Sequence, residues 1–166
     1  FNRAFPLPGA APVDGFTAAP ERLKARLMEL SATADIVLDL HCDDEAPVYL
    51  YVPSEVWPET APLAAALQAQ AVLLWDGEGG GAFEDAIVKR FSARAGTGDG
   101  VVVPGKVVST VELRGVGDVG RATADADAEC LYRYLVAAGV IEDATLPPLA
   151  AYDGPVIRQE WVEMIR

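Results

Sequence analysis

A chain of 166 residues, 51% of them hydrophobic, is long enough for one α/β domain burying roughly 70% of the surface its unfolded form exposes, and its composition excludes disorder over most of the length. Thirteen Lys and Arg against 25 Asp and Glu leave a net charge of −12, which repels phosphate backbones and anionic lipid, so neither nucleic acid nor a membrane is an expected partner. Cys42 and Cys130 stand far apart, outside any Cys-x-x-Cys spacing, which excludes a disulfide framework and a thiolate zinc site and fits reduced thiols in a cytoplasm.

The first twenty residues hold four prolines and two glycines and predict an irregular loop, with Pro20 in the first turn of a helix over 21–33. Leu23, Leu27 and Leu30 form that helix's apolar stripe. Ile36, Val37, Leu38 and Leu40 then predict a strand buried on both faces, ending in His41, Cys42, Asp43, Asp44 and Glu45. "APVYLYV" is a second strand, and Tyr49 and Tyr51 alternate onto one of its faces as packing residues. "ETAPLAAALQAQ" predicts a short helix despite Pro62, and "AVLLW" a third strand. "DGEGGGAF", 76–83, lacks both the Lys-Ser/Thr of a P-loop and dinucleotide-site spacing, and reads as a loop near the site. "AFEDAIVKRFSARA" is a helix with Phe83, Ile87 and Phe91 on one face, "KVVSTVEL" a strand, and 121–138 a long helix carrying Cys130, Leu131, Tyr134 and Leu135. Helices alternating with β-branched runs predict an α/β fold, a mostly parallel mixed sheet covered by helices, with ligands beyond the carboxyl ends of the strands.

Three places carry residues able to do chemistry. His41, the only histidine, can present an imidazole nitrogen to a metal from a strand end, and Asp39, two residues earlier and on the same side, could fix its tautomer. A lone histidine is more often a satisfied residue than a ligand, and the residues alone leave both readings open. Glu112 interrupts an apolar strand, where it is either a general base in a dry site or a strand-end acid that reaches solvent. Asn2 and Arg3 sit together before "AFP", where an arginine fork could hold a carboxylate, a surface arginine being the alternative.

The order and spacing of "NRAFP", the "DLH" strand end and "TVELRG" resemble the succinylglutamate desuccinylase/aspartoacylase branch of the zinc carboxypeptidase superfamily, from Phe1 to about Gly139. The resemblance implies a catalytic Zn2+ with His41 as one ligand, Asp39 behind it, Asn2 and Arg3 on the substrate, and Glu112 as the base that activates water and then protonates the leaving amine. It implies a zinc-dependent hydrolase of a small N-acyl amino acid or related amide. The family's His-x-x-Glu ligand pair is absent from these residues. The expectation is therefore a piece lacking an N-terminal segment, inactive by itself, with residues 1–150 in the catalytic domain and 151–166 a linker into a β-rich domain. A homo-oligomer is compatible with all of this. The rival expectations are a zinc carboxypeptidase acting on peptides and a metal-free binding or structural domain on the same scaffold.

Overall fold

The computed structural model describes residues 3–76, 81–96 and 101–158. In chain order it forms helix α1 (Ala19–Ser31), strands β1 (Ile36–Asp43) and β2 (Val48–Pro53), a 3-10 turn (Ser54–Val56), helix α2 (Trp57–Ala66), strand β3 (Ala71–Trp75), helix α3 (Phe83–Ala95), strand β4 (Val107–Gly115), helix α4 (Arg121–Ala137) and strand β5 (Val156–Arg158). The five strands make one sheet in the order β1-β4-β2-β3-β5, mostly parallel and mixed, as the alternation of elements predicts. Among the described residues no helix is long and apolar enough to cross a membrane.

The chain divides into two compact units, Phe1–Asp39 with Val52–Thr60 and Gly77–Thr110, and Leu40–Tyr51 with Ala61–Asp76 and Val111–Arg166. In the first, Met28, Val52, Val56, Ile87, Val88 and Phe91 are core residues. Lys106 ties the start of β4 to the start of β1, its Nζ donating to Asp35 Oδ1 at 2.7 Å and to the Ala34 carbonyl at 3.1 Å, and Val107 N–H donates to the Asp35 carbonyl at 2.9 Å.

Helix α1 corrects the predicted stripe: Leu23 and Leu30 are 50% and 56% exposed, while Lys24, Met28 and Ser31 are buried. The buried face is set by α3, against which α1 packs, and whose Arg90 and Arg94 donate to the Met28 and Ala32 carbonyls at 2.8 Å each. These bonds satisfy carbonyls that a helix end leaves open. Lys24 is accommodated because its stem is apolar and its ammonium lies 5.8 Å from the centre of the Phe5 ring. Helix α3 agrees with expectation, Ile87 and Phe91 being buried, and it stops at Gly96, whose φ of 67° suits glycine.

The second unit has Leu50, Leu63, Leu67, Val72, Leu74 and Tyr134 in its core. Gln70 N–H donates to the Val48 carbonyl at 2.8 Å where β2 and β3 begin, and β5 pairs in parallel with β3 in the register Val72↔Val156, Leu73↔Ile157 and Leu74↔Arg158. Val116 N–H donates to the Asp43 carbonyl at 2.7 Å. Strand β1 differs from the buried strand that its sequence predicts: Ile36, Val37 and Leu38 are half-buried and Leu40 is exposed. The reason is its place at the end of the strand order, whereas β4, with a neighbour on either side, is buried from Val107 to Glu112.

Candidate functional site

In the second unit β1 and β4 carry His41 and Glu112 to within 3.8 Å of each other, Nδ1 to Oε1. The distance exceeds a hydrogen bond and suits two groups that share a third atom or an ion between them. Glu112 is buried and the His41 side chain is 29% exposed, so the carboxylate sits in the drier position and the imidazole faces outward from it. The first acid after His41 has structural work. Asp43 accepts the Tyr49 hydroxyl on Oδ2 at 2.9 Å and the Asp44 N–H on Oδ1 at 2.8 Å. Tyr49 in turn meets Tyr51 edge-on, with ring centres 5.4 Å apart. Burial pushes the Tyr49 phenol up, and Asp43, Tyr51 and Glu112 add to it, so it remains a proton donor at neutral pH. Alternation along β2 placed both tyrosines on one face; what that face meets was not legible in it.

The end of β4 is unusual. Arg114 adopts φ 76°, a left-handed conformation that costs a residue with a side chain roughly 1–3 kcal/mol. Its guanidinium grips Asp127 of α4 through two bonds of 2.7 Å. Gly115 follows, and a Cβ there would stand 2.9 Å from the Asp44 carbonyl oxygen and 3.2 Å from Glu45 Cα. The glycine is what lets the chain after His41 lie against β4. Its own N–H donates to Asp118 Oδ2 at 3.1 Å.

The first unit gathers other charged groups. Arg3 is exposed; Asn2 lies outside the described residues, as do 77–80 of the glycine-rich loop. The segment after Arg3 is fixed: Phe5 N–H donates to the Gly81 carbonyl at 2.9 Å, and the Phe5 and Phe83 rings are 4.8 Å apart. Gly81, at φ 63°, leaves only 3.4 Å between a would-be Cβ and Ala4 Cα. The next residue of α3 after Phe83 is Glu84, which the sequence reading passed over. Burial raises its carboxyl above the usual range, Asp39 adds to this, and Thr110 and Arg3 oppose it. Glu84 Oε2 and Thr110 Oγ1 are both buried. Only the glutamate's position in the first turn of a helix after an aromatic hinted at a fixed role.

A metal would find one imidazole here. Among the described residues no three His, Cys, Asp or Glu side chains cluster closely enough to hold an ion, so these residues do not make a metal site by themselves, although His41 presents a nitrogen beside a buried carboxylate. Both cysteines are free. A cavity of about 480 Å³ in the second unit, lined in part by Gln68, Gln70, Arg133 and Tyr152, contains neither His41 nor Glu112.

No family model matches the sequence, and no curated protein does either. Solved structures do. A Shewanella frigidimarina protein described as a succinylglutamate desuccinylase/aspartoacylase superposes with a TM-score of 0.65 at 23% identity, over 86% of this chain and 37% of its own. A succinylglutamate desuccinylase/aspartoacylase family protein from Shewanella amazonensis gives 0.60 at 28% identity, over 81% and 36%. The product-bound ectoine utilization protein EutE (DoeB) of Ruegeria pomeroyi gives 0.60 at 17% identity, over 96% and 44%. The chain spans less than half the length of each of these structures. The resemblance carried by the three sequence motifs therefore extends to the fold.

Proposed function

We propose, for a chain that resembles the succinylglutamate desuccinylase/aspartoacylase family in motif order and fold, that it is part of a zinc-dependent hydrolase cleaving the amide bond of a small N-acyl amino acid. The observation that carries the reading is the pairing of His41 with the buried Glu112 across β1 and β4, 3.8 Å apart, in the fold of those proteins. His41 would hold the zinc together with donors outside these 166 residues, and the ion, when bound, would polarise the amide carbonyl and acidify water. Glu112 takes a proton from the attacking water as its oxygen bonds to the acyl carbon, and returns that proton to the amine as the C–N bond breaks. Asn2 and Arg3 would bind a substrate carboxylate, a fork that an exposed arginine in a fixed segment can present. Asp39 would act behind His41 by holding its tautomer.

Zinc content tests this directly. In protein that also carries the remaining donors, about one zinc per chain, lost in His41→Ala, is the expected result, with hydrolysis of N-acyl amino acids and not of peptides. Turnover of peptides alone would make the enzyme a carboxypeptidase. The lack of a three-donor cluster among the described residues favours a second reading, a metal-free binding domain, which zinc-free protein in both forms would support.

A further inference from the structure

Arg114 has no part in the chemistry above, yet two residues from Glu112 its backbone is held in the left-handed region, at φ 76°. A glycine would adopt φ 76° without cost. Arginine pays for that conformation and is anchored in it by two charge-assisted bonds to Asp127 at 2.7 Å. One residue, Leu113, separates it from Glu112. On its other side Gly115 lies against the Asp44 carbonyl and Glu45 Cα, and Val116 N–H bonds the Asp43 carbonyl, two residues past His41. The strand segment bearing Glu112 and the strand segment bearing His41 are thus joined through the turn that Arg114 starts.

We propose that the Arg114–Asp127 clamp is a positioning device that sets Glu112 against His41, α4 serving as the fixed point. It acts through the backbone: the fork holds the left-handed twist, the twist brings Gly115 and Val116 onto the end of β1, and these fix how far Glu112 stands from the imidazole. A helix is a stiffer anchor than a loop, and a site is held more tightly when its supporting side chains are themselves locked. The proposal rests on the functional reading above for its consequence on turnover and on geometry alone for the rest.

The experiment compares Arg114→Gly, Arg114→Lys and Asp127→Asn with the wild type, in protein that also carries the remaining zinc donors, by thermal midpoint, by the imidazole ring resonances at fixed pH, and by kcat and KM on N-acyl amino acids. The ring signals of His41, the only histidine among these 166 residues, are identified by their loss in His41→Gln. Arg114→Gly removes anchor and strain together, so its midpoint should stay within about 2 °C of wild type. Its ring signals should nonetheless shift, and kcat should fall about 10- to 100-fold with KM within about two-fold. Asp127→Asn keeps the strain and loses the anchor, so the midpoint should drop by about 4 °C with a similar loss of kcat. Arg114→Lys, unable to form the fork, should not rescue either. Wild-type ring signals and wild-type kcat in Arg114→Gly would overturn the proposal and leave the clamp a stabilising contact only. If the wild type turns over no N-acyl amino acid, the functional reading fails, and the ring signals alone decide the clamp: unmoved signals sink it, shifted signals sustain it.

Discussion

The buried carboxyls separate by what a single substitution should do. Glu112→Gln keeps shape and removes the proposed base, so on the reading above kcat should fall about 10²- to 10⁴-fold while zinc content is retained, a comparison of turnover against metal analysis on the same preparation. Glu84 is different, because burial above all raises its carboxyl above the ordinary value of 4.5. Between that value and its folded pKa the folded chain holds a proton that the unfolded chain has released. Stability contributed by the protonated group is therefore complete below the unfolded pKa and is lost as pH rises through the folded one. Denaturation midpoints of wild type and Glu84→Gln at about pH 4.5 and about pH 7.5 should show the wild type losing more stability with rising pH. Parallel pH profiles would mean that the carboxyl ionises as it does in water. His41 and Glu112, which the structure brings to 3.8 Å of each other, were legible as candidates, since a histidine at a strand end and a glutamate inside an apolar run break their local pattern. Glu84 and Arg114 break none: one is an acid in a helix's first turn, the other a charged residue after a strand, and only the fold gives them their burial and their backbone angle.

Elements were legible where one periodicity had one reading. Strand β4 and helix α3 stand as their patterns predict because each is covered on the faces that the pattern marks as apolar. Helix α1 was misread because leucines at spacings of four and three form a stripe whether or not anything covers it, and the covering helix chose Met28 instead. Met28→Ala should accordingly cost about 2–5 kcal/mol of unfolding free energy, while Leu23→Ala and Leu30→Ala should stay within about 0.5 kcal/mol. Chemical denaturation of the three variants is the check, and equal losses would restore the leucine stripe as the packed face. Strand β1 was misread for a related reason, since a run of Ile, Val and Leu looks the same at the end of a strand order as inside it. At the β1–β4 crossing, Gly115→Ala would place a methyl 2.9 Å from a backbone oxygen. Backbone gives little there, so a loss of about 1–3 kcal/mol should follow, read as a lowered thermal midpoint.

Charge acts on the whole molecule. With 25 acidic and 13 basic residues, the chain is surrounded by a negative potential that reaches about 10 Å at 0.1 M salt and about 30 Å at 0.01 M. The proposed substrate is itself an anion, and the group proposed to receive its carboxylate, Arg3, stands where Asp39 and Glu84 are also felt. Approach is then opposed at long range and favoured only at contact, the reverse of electrostatic steering. Screening should relieve the repulsion more than it weakens a forked contact. On this argument kcat/KM for a dicarboxylate N-acyl amino acid should rise as salt increases from about 10 mM to about 150 mM, more steeply than for a monocarboxylate, with a neutral amide unaffected. A rate that falls with salt for the dicarboxylate would mean that a local positive field around Arg3 dominates the molecule's net charge, and would move the source of substrate selection from the whole surface to that one residue.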